Sequence, residues 1–195
     1  MNIVTNPDNS KSQKIDLCIK VTDYLGVNYR PTHMVFDSEN YDQQESLLDE
    51  FRDIAFAWTP GRSKENIPTY LRNIMDSPEC KYLVWLSEKA LKLDDVQFVW
   101  VLAHELRHIY QSRKVSQFTC IKSIKKKLRK EQCYKTLPGS LLGASEIDAE
   151  VCGLITVIDI FGKDRADELL HSGALRRCPY ESYAMFIKQV AEECG

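Results

Sequence analysis

Residues 94–111 read DDVQFVWVLAHELRHIYQ, and the fold turns on whether they form one helix. Asp94 followed three residues later by Gln97 is a helix-start signature, an acidic N-cap with a capping box. Val99, Leu102, Ala103, Leu106, Ile109 and Tyr110 recur at helical spacing and make one apolar stripe. His104, Glu105 and His108 fall on the opposite arc, so the helix is expected to pack by its stripe and turn these three toward a cleft. His104-Glu105-Leu106-Arg107-His108 is an HExxH pattern. At about 3.6 residues per turn, residues four apart stand one above the other, so two imidazoles reach one ion about 2.0–2.1 Å from each nitrogen. Glu105 then lies beside the ion, where metal-assisted hydrolysis needs a carboxylate: zinc acidifies a water, and the glutamate takes its proton as that water attacks a polarised carbonyl.

Zinc in a hydrolase takes three protein ligands and keeps a fourth position open. An HExxHxxGxxH pattern would need glycine at 111 and histidine at 114, but the chain has Gln111 and Lys114, so the third ligand comes from farther away. Downstream, residues 145–161, SEIDAEVCGLITVIDIF, read as a second helix. Its buried stripe is Ile147, Val151, Leu154, Ile155, Ile158 and Phe161. Glu146 and Glu150, four apart, flank that stripe, and Gly153 continues their row. A carboxylate at a core edge is costly unless paired or bound to metal, and a glycine in the same row lets another backbone approach closely. Both features point to the HExxH helix as the neighbour. Asp148 projects to the other side, where it is expected only to complement the helix dipole. His171, near the end of a helix expected over 163–171, is a candidate third ligand or hydrogen-bond donor, set against the plainer role of a favourable charge at a helix C-terminus.

His104 to His108 followed by Glu146-x-x-Ala149-Glu150 resembles the gluzincin arrangement of HExxH plus a downstream ExxA(D/N) helix. Within that group it is similar to the ImmA/IrrE-type peptidases, whose second motif reads ExxAN-x-F-A. The similarity spans roughly Tyr82 to Gly153. It implies a zinc-dependent metallopeptidase acting on a protein or peptide, with His104, His108 and Glu146 as zinc ligands, Glu105 as general base, and Glu150 supporting the ligands from behind. Glu150 is longer than the Asp or Asn of that motif, which leaves open that it, rather than Glu146, binds the metal. Cys152-Gly153 stand where the subfamily has Phe-Ala. The implied fold is α+β: a small zincin-like domain in which a short sheet packs on the HExxH helix and a second ligand-bearing helix. Tyr110, Tyr134, His171, Tyr180 and Tyr183 are candidate oxyanion donors.

Upstream, residues 32–37, 53–58 and 82–87 are extended candidates that suggest a small, largely antiparallel sheet. Residues 81–87, just before the HExxH helix, could be an edge strand that pairs with an extended peptide, or an ordinary interior strand. Residues 67–75 suit either a short helix or a further strand. Residues 15–25 have helical spacing closed by Gly26, and 1–13 read as a polar, frayed end. His33, in a strand-like segment without neighbouring ligands, reads as structural.

After the HExxH helix, residues 112–140 read as a basic insertion, with Lys122, Lys125, Lys126, Lys127, Arg129 and Lys130 close together. A solvated face accounts for the run. The alternative is a non-catalytic zinc-containing binding or regulatory module in which 122–130 docks an acidic partner or nucleic acid. A net charge of −2 gives no overall pull toward nucleic acid or membrane, and 195 residues suit one domain over 1–195. Seven cysteines, odd in number and without a CxxC pair, read as reduced thiols. No run approaches the ~18 apolar residues of a membrane span, and no hydrophobic leader is evident, so the expected location is the cytoplasm.

Overall fold

The computed structural model describes residues 2–4, 12–26, 32–36, 54–65, 67–112, 144–172, 185, 187–189 and 191–192. In chain order the elements are β1 (Asn2–Val4), α1 (Ser12–Tyr24), β2 (Thr32–Phe36), β3 (Ala55–Trp58), α2 (Thr69–Met75), β4 (Tyr82–Leu86), α3 (Glu88–Leu91), α4 (Asp95–Gln111), α5 (Ala144–Phe161) and α6 (Lys163–His171). The architecture is mixed α+β. Among the described residues, no helix is long and apolar enough to cross a membrane.

The described strands form one sheet in the order β1-β2-β4-β3. β1 runs parallel to β2 and β2 parallel to β4, and only β3 is antiparallel to its neighbour. The expectation of a largely antiparallel sheet is therefore corrected. Parallel neighbours cannot be joined by a tight turn, and α1 lies in the connection between β1 and β2. Within 1–13, Asn2–Val4 pair with His33–Val35 and α1 begins at Ser12. β4 is interior, flanked by β2 and β3, so it offers no free edge to a peptide.

β2 and β4 are buried at every position, as strands covered on both faces should be. Alternate residues feed two cores. Met34, Phe36, Val84 and Leu86 face a large cluster built with α1, α4 and α5. Val35, Leu83 and Trp85 face a smaller one built with Ile67, Leu71 and Met75 on the side of α2. Residues 67–75 thus resolve as a helix that covers the second face of the sheet. His33 is a buried residue of β2 and lies outside the histidine cluster described below.

α4 starts as its sequence dictates: Asp94 Oδ1 accepts a hydrogen bond from the Gln97 backbone N–H at 2.9 Å. The stripe from Val99 to Ile109 is fully buried, but so are Phe98, Trp100, His104, Glu105 and His108. A helix buried nearly all round is central to its domain. The arc expected to face a cleft is instead covered by α5, with which α4 makes its most extensive contact.

At Gly153 the two helices approach closely. A Cβ there would meet the Trp100 carbonyl oxygen at 3.0 Å and its indole Cδ1 at 3.1 Å. Gly162, at φ 91°, then turns the chain from α5 into α6.

Candidate metal centre

α4 and α5 bring His104, His108 and Glu146 together, with one ligand atom from each within 4.8 Å of the others. His104 Nε2 and His108 Nε2 are 3.0 Å apart, and Glu146 Oε2 lies 3.5 Å from each of them. Donors at three corners of a tetrahedron around an ion, with bonds of 2.0–2.1 Å, stand about 3.3–3.4 Å from one another. The observed triangle has those dimensions, so the group could hold a metal ion.

The hydrogen bonds behind the triangle decide which ring nitrogens carry protons. His104 Nδ1 lies 3.4 Å from Glu150 Oε1, and the Trp100 indole N–H donates to Glu150 Oε2 at 2.6 Å. A carboxylate that receives an indole N–H is an acceptor, so the His104 proton belongs on Nδ1 and Nε2 is left bare. His108 Nδ1 is 2.9 Å from Gln111 Oε1, while Gln111 Nε2 donates to Asp148 Oδ2 at 2.8 Å. Asp148 also accepts two hydrogen bonds from Arg107, at 2.7 and 3.0 Å. With its amide nitrogen committed to Asp148, Gln111 presents its carbonyl to His108, so that histidine too is protonated on Nδ1 and bare on Nε2. Two imidazole lone pairs and a carboxylate oxygen then converge on one point. Such an arrangement is repulsive unless a cation or a proton lies between them.

Without an ion, a proton takes that place on His104. Burial opposes a charge on His104, but Glu150, then Glu146 and Glu105, outweigh it and push its pKa up to about 10. Burial would raise Glu146, yet hydrogen bonds and charge from His104 and His108 hold it well below the ordinary carboxylate range. Arg107 is likewise raised, its burial outweighed by the hydrogen bonds and charge of Asp148.

His104, Glu105 and His108 are almost closed to solvent, whereas a third of the Glu146 side chain is exposed. The ligand set is therefore approached from the Glu146 side.

Glu146, rather than Glu150, falls in the ligand group, and Glu150 stands behind His104. Asp148 overturns its expected role as an exposed first-turn charge: it is 2% exposed and tied to Arg107 and Gln111. The sequence holds no signal of this, since the partners Arg107 and Gln111 lie about 40 residues away. Trp100 was also missed, although it precedes His104 by one helical turn. His171 is exposed at the end of α6, with Nδ1 2.7 Å from the Asp167 carbonyl, and is not part of the cluster. Tyr110 is partly buried beside Arg107, with the guanidinium 5.2 Å from its ring centre. Tyr134, Tyr180, Tyr183 and the basic run at 122–130 lie outside the described residues. Among the described cysteines, Cys18, Cys80 and Cys152 are free thiols.

No protein-family model, no curated protein and no solved structure matches this chain.

Proposed function

We propose that this chain is a zinc-dependent metallopeptidase, with His104, His108 and Glu146 holding the ion and Glu105 serving as general base. The observation that carries the reading is the triangle of His104 Nε2, His108 Nε2 and Glu146 Oε2 spaced 3.0–3.5 Å apart, with a buried glutamate directly after the first histidine. Two neutral imidazoles and a carboxylate form a ligand set that suits zinc and leaves one position open. Bound there, zinc would supply Lewis acidity to a substrate carbonyl and lower the pKa of the attacking water. Glu105 would take a proton from that water at its carboxylate and return it to the departing amine nitrogen. Glu150 and Gln111 keep the imidazole protons on Nδ1 through both transfers. Glu146, a third exposed, marks the side from which a peptide carbonyl would reach the ion.

The test is elemental analysis on untagged protein purified without chelator, followed by peptide hydrolysis. About one zinc per chain in the wild type and in Glu105→Gln is expected, with loss in His104→Ala and Glu146→Ala. Glu105→Gln should lower turnover by about 10²–10⁴-fold. Absence of metal after zinc is added back would remove the hydrolase reading, and full turnover by Glu105→Gln would remove the general-base role.

A further inference from the structure

A glutamine amide has two unlike ends, and whichever end faces a histidine decides which ring nitrogen of that histidine carries the proton. Gln111 sits between His108 and Asp148, so its orientation is set by what Asp148 offers. Asp148 is buried and receives two N–H groups from Arg107, which leaves its carboxylate an acceptor toward Gln111.

We propose that Arg107, Asp148 and Gln111 form a positioning relay that fixes the tautomer of His108, and thereby makes its Nε2 a metal donor. The relay rests on the metal-site reading above and concerns what sets that site. Its direction follows from donor and acceptor polarity alone. Arg107 only donates, so Asp148 accepts; Asp148 only accepts, so Gln111 turns its NH2 to it. The Gln111 carbonyl then faces His108 and requires the ring proton on Nδ1. A neutral imidazole has a single N–H, and His108 Nε2 is left bare, 3.0 Å from its counterpart on His104. Arg107 occupies one of the two unspecified positions of HExxH, and its guanidinium is bound to Asp148. All three residues act through His108 and need not touch substrate or metal.

Asp148 Oδ2 accepts from both Arg107 Nε and Gln111, so Asp148→Asn can keep its amide oxygen at that position and leave the polarity of the relay unchanged. The informative change is therefore at Gln111. Gln111→Leu keeps the bulk but offers His108 Nδ1 no acceptor, so nothing holds the ring proton there and it can occupy Nε2, where it blocks the metal. Asp148→Asn/Gln111→Glu keeps an acceptor facing His108, with the net charge of the wild type. The expected results are an Nδ1–H tautomer for His108 in the ¹⁵N spectrum of zinc-free wild type, and an Nε2–H tautomer in Gln111→Leu. Zinc affinity should drop about 10–100-fold in Gln111→Leu and be held in Asp148→Asn/Gln111→Glu.

Loss of packing alone would weaken the double variant at least as much as Gln111→Leu. An Nε2–H tautomer in the wild type overturns the relay, and that measurement needs no variant to fold. So does wild-type zinc affinity in Gln111→Leu, or a double variant no better than Gln111→Leu. In each of those cases, zinc uptake by the wild type leaves the metal site standing. No zinc uptake together with an Nδ1–H tautomer does the reverse, removing the metal site and leaving the relay.

Discussion

Glu146 and Glu150 stand one helical turn apart and approach the same histidine from opposite nitrogens. Glu146 reaches Nε2 of both histidines, and Glu150 reaches Nδ1 of His104 while accepting the Trp100 N–H. Their substitutions should therefore separate. Glu150→Gln has one acceptor oxygen for two N–H groups, so it should weaken zinc binding by about 10–100-fold without abolishing it. Glu146→Gln removes a charged ligand and should abolish stoichiometric uptake. Isothermal titration with zinc distinguishes them, and equal losses would contradict the separate roles. At this scale the sequence carried much of the site: spacing alone aligned His104 with His108, and the carboxylate row on the second helix was legible from Glu146, Glu150 and Gly153. Asp148 was not legible, because its burial depends on docking against Arg107 and Gln111, and periodicity within one helix holds no information about that.

The contact between α4 and α5 is the element on which the site depends, and Gly153 sets its closeness. Gly153→Ala would ordinarily favour a helix by about 1 kcal/mol. Here its methyl group meets the backbone carbonyl of Trp100 at 3.0 Å and the indole at 3.1–3.2 Å, and backbone in a buried helix yields little. The same indole holds Glu150. Overpacking of this kind costs roughly 1–3 kcal/mol, so the net change should be destabilising and Tm should fall by several degrees. Zinc affinity should fall with it, because a displaced Trp100 no longer steadies Glu150. A Tm at or above that of the wild type would show that the helices can separate freely. This close approach could be anticipated from a glycine in a carboxylate row, whereas strand direction in the sheet could not. Residues 32–36 and 82–86 have the uninterrupted apolar character of strands buried on both faces, yet such runs record burial and leave the order and sense of neighbours open. β1, at three residues, is too short for a periodic signal.

For the whole molecule, the core that joins α1 to α4 couples stability to alkaline pH. Lys14 of α1 reaches the Leu93 carbonyl at 2.8 Å and Asp95 at 2.9 Å, while Cys18, one turn on, is fully enclosed. Burial pushes the Cys18 thiol up to about 12, against an ordinary 9.0, with Lys14 opposing only in part. Below pH 9 the thiol is neutral in both states and its contribution to stability is intact. Between pH 9 and about 12 the unfolded chain releases this proton while the folded one retains it, so stability falls as pH rises. Cys152, raised by burial to about 11, adds to the same decline. In zinc-free protein His104 works in the same direction from its ordinary 6.5 up to about 10, and this part is common to wild type and a Cys18 variant. Urea unfolding of zinc-free protein from pH 7 to 11 should therefore give a decline that steepens above pH 9. Cys18→Ala should begin from a lower stability, because it leaves a small cavity, but lose less of it above pH 9. Parallel curves for the two proteins would place the alkaline loss elsewhere than in this core.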